Sequence, residues 1–174
     1  MTIKTAPSKP PAAPAAGDLL ALDNQLCFAL YAASGLVTRA YRPLLEPLGL
    51  TYPQYLAMLA LWEQAPRTVK ALGQALDLDS GTLTPLLKRL EAAGYVTRTR
   101  DADDERRVQV ALTPAGAALK AKAAEIPAAL ACRLDIPAQD IAALRATLQA
   151  LARRIKARQP QPAPSRASTS RGMA

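Results

Sequence analysis

Residues 68–112, TVKALGQALDLDSGTLTPLLKRLEAAGYVTRTRDADDERRVQVAL, decide how the chain folds. Thr68 is placed to cap a short helix, VKALGQAL, and LDLDSG then reads as a turn. TLTPLLKRLEAAG reads as a second helix closed by Gly94, with Pro85 close enough to its start to be tolerated. YVTRTR and RRVQVAL alternate apolar with polar residues as strands do, and DADDE between them makes a polar hairpin tip.

Helix, turn, helix and hairpin in this order make a winged helix-turn-helix. In such arrangements the second helix enters the major groove of DNA and its first residues meet base edges. Ser80, Thr82 and Thr84 are short hydrogen-bonding side chains suited to bases or phosphates, and Lys88 and Arg89 follow one or two turns later, positioned for phosphate. The wing sets Arg98, Arg100, Arg106 and Arg107 against Asp101, Asp103, Asp104 and Glu105. Two readings stay open: a solvated, salt-bridged hairpin, or acids that orient an arginine into a narrow minor groove.

Outward from this stretch, Asp23 can cap a helix running to about Tyr41, with Leu22, Leu26, Ala29, Ala33, Leu36 or Val37, and Ala40 on one face. Arg42-Pro43 ends or kinks it. Thr51-Tyr-Pro-Gln54 has the capping-box form and opens TYPQYLAMLALWEQ, which Pro66 stops. Thr113-Pro114 opens an Ala-rich helix to about Arg133, with a kink expected at Pro127. A last helix, about 138–157, carries Ile141, Leu144, Leu148, Leu151 and Ile155 as an apolar seam, which either packs on its own domain or meets a second chain. The fold class is therefore mainly α with a small β-hairpin wing. Residues 1–16 and 159–174 read as disordered tails, the second basic.

The chain has 174 residues, half of them apolar but only 4% aromatic, so its core is mostly Leu, Ala and Val. The net charge of +8 lies in the tails: Lys4 and Lys9, then Arg153, Arg154, Lys156, Arg158, Arg166 and Arg171, whereas residues 17–152 balance. DNA binding must therefore rest on where charges sit in the middle of the chain. Histidine is absent, which removes Ser-His-Asp and Cys-His catalysis and His-ligated metal or haem. Two cysteines cannot build a Cys-only zinc site, and no Gly-rich phosphate loop occurs. No enzyme, metal or cofactor is expected. With neither an export signal nor a run of about 18 apolar residues, the chain reads as cytoplasmic, with no membrane partner and reduced thiols.

Residues 77–116, DLDSGTLTPLLKRLEAAGYVTRTRDADDERRVQVALTPAG, resemble the winged helix of the MarR family of bacterial repressors, including the wing pattern D-x-x-D-x-R-R at Asp101, Asp104, Arg106 and Arg107. Residues 26–63, LCFALYAASGLVTRAYRPLLEPLGLTYPQYLAMLALWE, resemble its organic-hydroperoxide-sensing (OhrR type) branch. The likeness covers about residues 20–155. It implies one unit over residues 17–158, a winged helix of about 51–113 flanked by dimerisation helices of about 18–50 and 114–157 that interlock in a homodimer. It also implies that Arg106 reaches the minor groove with Asp104 beside it, on a roughly palindromic double-stranded operator near a peroxide-detoxifying gene.

Cys27 shares a helical stripe with Asp23, Tyr31, Ser34, Thr38 and Tyr41, beside the Leu/Ala face. A helix starting at Asp23 puts it about one turn in, where the positive dipole end favours a thiolate; a start at Asp18 weakens that. Cys132 lies at the opposite, negative end of its helix. Geometry thus nominates Cys27 to attack and Cys132 to follow, although a free cysteine is commonly just a small buried hydrophobe. The resemblance implies that organic hydroperoxide oxidises Cys27 to a sulfenic acid, that Tyr41 and Tyr52 hydrogen-bond its thiolate, and that Cys132 traps it as an intersubunit disulfide, as in the two-cysteine subgroup. The competing readings are interface packing for the tyrosines, a repressor released by a small aromatic ligand with structural cysteines, and a thiol peroxidase. No Arg-assisted peroxidase pocket is evident around Cys27.

Overall fold

A computed structural model describes residues 19–101, 104 and 107–158. The expectations for the two tails, for the alternative cap Asp18, and for Asp103, Glu105 and Arg106 lie outside these residues. The chain divides into two compact units, one ending at Leu134 and one beginning at Asp135.

The first unit is built around α2 (Tyr52–Glu63). Its capping box forms as the sequence indicates: Gln54 Oε1 accepts from the Thr51 N–H at 2.8 Å and from the Thr51 hydroxyl at 2.9 Å. Tyr55, Ala57, Met58, Ala60, Leu61 and Trp62 of α2 are all buried. Around it pack α1 (Leu26–Leu45), α3 (Val69–Leu76), α4 (Ser80–Ala92) and α5 (Pro114–Ala123). In α4, Leu83, Leu86, Leu87 and Leu90 recur at helical spacing and are buried, at about 1.5–3 kcal/mol each. That fixes which side of α4 faces solvent.

Gly94, at φ 76°, closes α4, and the Tyr95 N–H reaches back to the Leu90 carbonyl at 3.0 Å. The wing strands β2 (Val96–Arg100) and β3 (Val108–Leu112) pair antiparallel, with Val96 opposite Leu112 and Arg100 opposite Val108. The hairpin is joined by β1 (Arg67–Thr68), which pairs with β3 and gives the order β1-β3-β2. A two-residue strand carries too little alternation to be seen in the sequence.

Several boundaries differ from the sequence expectation. Asp23 does not cap α1; it lies in a 3-10 turn, Leu22–Asn24, and α1 begins at Leu26. Pro43 does not stop α1, because it removes one hydrogen bond near an end that the Glu46 N–H closes onto the Arg42 carbonyl. α4 starts at Ser80 because Asp79 supplies the cap, so Pro85 is its sixth residue rather than part of its first turn. Pro85 therefore has no N–H to offer the Gly81 carbonyl one turn before it. Instead of one helix kinked at Pro127 there are two, α5 and α6 (Ile126–Leu134), with Pro127 second in α6, where no intrahelical donor is needed.

The face assigned to α1 also turns. Leu22, Leu26 and Leu36 are about 60% exposed, whereas Phe28, Ala32, Gly35, Tyr41 and Leu45 face the chain's own interior to varying degrees. α1 packs against α6 within this unit. The second unit contains α7 (Ala138–Arg158), none of whose residues is buried; Leu144, Leu148 and Ile155 of the seam are exposed.

Gly116 of α5 sits against the wing. A Cβ there would lie 2.0 Å from the Tyr95 carbonyl oxygen, and the Gly116 carbonyl accepts from the Trp62 indole N–H at 2.8 Å. Gly116→Ala should therefore cost about 3 kcal/mol of stability. Urea unfolding followed by Trp62 fluorescence measures it, and a loss below about 1 kcal/mol would show that the backbones separate freely.

Candidate functional site

The buried leucines of α4 leave Ser80, Thr82, Thr84, Lys88 and Arg89 exposed together. Asp79 organises the start of the helix: its carboxylate accepts from the Thr82 N–H and from the Thr82 hydroxyl, both at 2.9 Å. Those hydrogen bonds hold the Asp79 carboxyl below the usual carboxylate range. Thr84 donates its hydroxyl to the Ser80 carbonyl at 2.7 Å. The hydroxyl protons of Thr82 and Thr84 are therefore committed within the chain, leaving lone pairs to face outward.

Ser80 and Thr84 share a depression of about 530 Å³ with Asp104 and Arg107 of the wing, Thr68 of β1 and Lys70 of α3. Four residues singled out in the sequence thus converge, and Thr68 and Lys70 join them. Lys70 could have been noticed as a base on the first helix of the motif. The wing reading of Arg98 changes. Its guanidinium donates to Glu91 of α4 at 2.8 and 2.6 Å, and its backbone N–H to the same carboxylate at 3.1 Å. This pairing holds the Glu91 carboxyl below its ordinary range. Arg98 fastens the wing to α4 instead of balancing a wing acid, a partnership across the Gly94 turn that sequence spacing does not reveal. Glu91→Gln should leave the fold intact but loosen the wing, weakening DNA affinity several-fold in a titration with a fluorescent duplex; unchanged affinity would remove Glu91 from the interface.

Cys27 is the second residue of α1, nearer the helix start than the sequence indicated, and its side chain is exposed. N–H groups in a first turn have no intrahelical acceptor and make that end partially positive. Cys132, in the last turn of α6, is also an exposed free thiol. Tyr41 and Tyr52 are brought together, ring centroids 4.7 Å apart, and Tyr55, which sequence reading missed, stacks at 5.8 Å from Tyr41. Tyr55 lies one helical turn after Tyr52, a spacing that could have flagged it. Beside them an open cavity of about 640 Å³ is lined by Thr38, Arg39, Arg42, Leu50 and Tyr52 among others.

One distance governs this arrangement. Cys27 and Tyr41 stand fourteen residues apart on one continuous helix, about 21 Å at 1.5 Å per residue. No tyrosine hydroxyl reaches that far along its own helix. Burial, reinforced by Tyr52 and Tyr55, pushes the Tyr41 hydroxyl up to about 12, and burial raises Tyr52 and Tyr55 as well. All three are neutral donors at neutral pH. Because Tyr41 holds its proton more tightly folded than unfolded, its contribution is complete below pH 10.0 and is lost as pH rises towards 12. Tyrosinate absorbance should therefore lag that of free tyrosine in an alkaline titration, and Tyr41→Phe should delete the latest component; tyrosines ionising together near 10.0 would contradict this packing.

The family described as transcriptional regulator SarA/Rot matches residues 39–123. The organic hydroperoxide resistance transcriptional regulator of Bacillus subtilis is 50% identical over 134 residues, covering 77% of this chain and 91% of that protein. Reduced AbfR bound to DNA aligns with a TM-score of 0.67 and 36% identity, over 80% of this chain and 98% of that one. Disulfide-formed AbfR aligns at 0.55 and 36%, over 80% and 93%; AbfR comes from Staphylococcus epidermidis. No helix among the described residues is long and apolar enough to cross a membrane. With a wing and recognition helix in place, and with these relatives, the chain belongs to the MarR family of winged-helix, DNA-binding transcriptional regulators.

Proposed function

We propose that the chain is a homodimeric repressor released from operator DNA when organic hydroperoxide oxidises Cys27. The observation that carries this reading is the separation of Cys27 from Tyr41 and Tyr52. A neutral tyrosine pair is suited to hydrogen-bond a thiolate without adding charge, yet it cannot reach the thiol of its own α1. A second copy supplies it. The exposed Leu22 of the preceding turn, Leu26, Tyr31 and Leu36 of α1, and the seam of α7 are the apolar surfaces such a dimer would cover.

In the proposed reaction the Cys27 thiolate attacks the terminal peroxide oxygen. The O–O bond breaks, the alkoxide leaves and takes a proton as the alcohol, and sulfur becomes a sulfenic acid. The Cys132 thiol of the other copy then attacks that sulfur, forming the disulfide and releasing water. A disulfide is reducible, whereas sulfinic and sulfonic acids largely are not. The oxidation named for AbfR and the peroxide resistance named for the Bacillus regulator support this assignment. Ser80, Thr82, Thr84, Lys88, Arg89, Asp104, Arg106 and Arg107 are the proposed contacts to DNA, the hydroxyls as acceptors or through water.

Cumene hydroperoxide should lower operator affinity of the wild type at least about tenfold and leave Cys27→Ser bound. Cys132→Ser should still respond but pass into irreversible oxidation, and should lose the peroxide-dependent dimer band on non-reducing gels. Release of Cys27→Ser by peroxide sinks the sensing role. The cavity bearing Arg39 and Arg42 favours a second reading, release by a small anionic aromatic ligand. That reading requires a ligand response that survives Cys27→Ser.

A further inference from the structure

Three of the chain's five tyrosines and its one tryptophan form a continuous row. Centroid to centroid, Tyr52 lies 4.7 Å from Tyr41, Tyr41 lies 5.8 Å from Tyr55, and Tyr55 lies 6.3 Å from Trp62. All four stand on α1 and α2 of the first unit. The row runs between two openings. A shallow groove of about 310 Å³ reaches Tyr55 and Trp62, and the cavity of about 640 Å³ reaches Tyr52.

Packing explains why large rings meet in a core this poor in aromatics. It does not explain the phenols. Tyr55 is only 2% exposed and takes no part in the proposed thiol chemistry, yet it is the ring that joins the tyrosine pair to Trp62. Trp62 is also a costly ring to damage, because its indole N–H holds the Gly116 carbonyl at the root of the wing. An indole that has lost one electron becomes a strong acid, and a peptide carbonyl is too weak a base to take its proton. The vacancy on Trp62 therefore stays strongly oxidising. Neighbouring phenols can yield an electron to it, and near neutral pH they hold the vacancy at lower energy once a proton leaves. At Tyr52, beside the open cavity, water can take that proton.

We infer that Trp62, Tyr55, Tyr41 and Tyr52 form a one-electron relay that carries an oxidative vacancy from Trp62 to the cavity. The oxidant is an alkoxyl radical, the species a hydroperoxide yields when it gains one electron. It takes an electron from Trp62 and a proton from water and becomes the alcohol. Electrons then pass from Tyr55 to Trp62, from Tyr41 to Tyr55 and from Tyr52 to Tyr41, while the Tyr52 hydroxyl gives its proton to water. Tyr52 is left as a neutral phenoxyl radical. A thiol or ascorbate entering the cavity returns a hydrogen atom to it and becomes a radical in its place. The relay needs neither cysteine, so it stands apart from the two-electron oxidation proposed for Cys27.

The test is pulse radiolysis of full-length Cys27→Ser/Cys132→Ser, with azide radicals to oxidise the indole. Indolyl absorbance should give way to tyrosyl absorbance at a rate independent of protein concentration. Adding Tyr55→Phe keeps the ring packing but should abolish that conversion, and Trp62 should then accumulate as N-formylkynurenine in mass spectra. Tyr31→Phe should change neither result. With Tyr52→Phe the vacancy should stop at a more buried ring, and ascorbate should quench the tyrosyl radical several-fold more slowly. A tyrosyl radical that forms only in proportion to protein concentration, or at an unchanged rate in Tyr55→Phe, overturns the inference. Quenching of Tyr52→Phe at the unaltered rate overturns the exit at the cavity.

Discussion

The continuity of α1 is the constraint on which the rest of the functional account depends. A continuous helix from Leu26 to Leu45 carries Cys27 at one end and Tyr41 near the other, and no side chain spans the interval. If the tyrosines attend the thiol, they do so from another molecule. The same constraint gives meaning to features that look costly in one chain: leucines of α1 left in solvent, a seam on α7 with no buried residue, and two exposed thiols. In the proposed dimer the reactive site forms only on assembly, which would join oxidation to the geometry of that dimer.

The tyrosines are also mechanically close to the DNA-reading elements. Tyr55 touches Tyr41 and, at 6.3 Å, the edge of Trp62. Trp62 donates to the Gly116 carbonyl and accepts from Lys120 at 3.1 Å, and Gly116 presses on Tyr95 at the root of the wing. The Tyr95 hydroxyl returns to the Leu48 carbonyl at 3.1 Å, just beyond α1. Tight packing of this kind transmits displacement poorly by bending and well by shifting between discrete arrangements. Arg98 and Glu91 add the last fastening, holding the wing to α4.

Much of this was legible in the sequence where residues act locally. Thr68, Thr113 and the Thr51–Gln54 box announce helix starts because caps work over three residues, and the leucines of α4 declare its inner face by spacing alone. The family likeness was equally plain. What stayed hidden depends on tertiary partners. β1 exists only because β3 offers it an edge; Arg98 reads as a wing base until Glu91 approaches. The apolar stripe of α1 looks like core, yet much of it faces solvent in a single chain. Pro43 and Pro127 misled because their cost depends on position within a helix whose ends were misjudged.

The most direct test is complementation between two defective chains. A heterodimer pairing Cys27→Ser with Tyr41→Phe/Tyr52→Phe contains one thiol facing intact tyrosines if the site is shared between copies, and none if it lies within a chain. The account predicts that this heterodimer's single Cys27 reacts with cumene hydroperoxide at the wild-type rate. Reaction only at the slow rate of the tyrosine-deficient homodimer would contradict it.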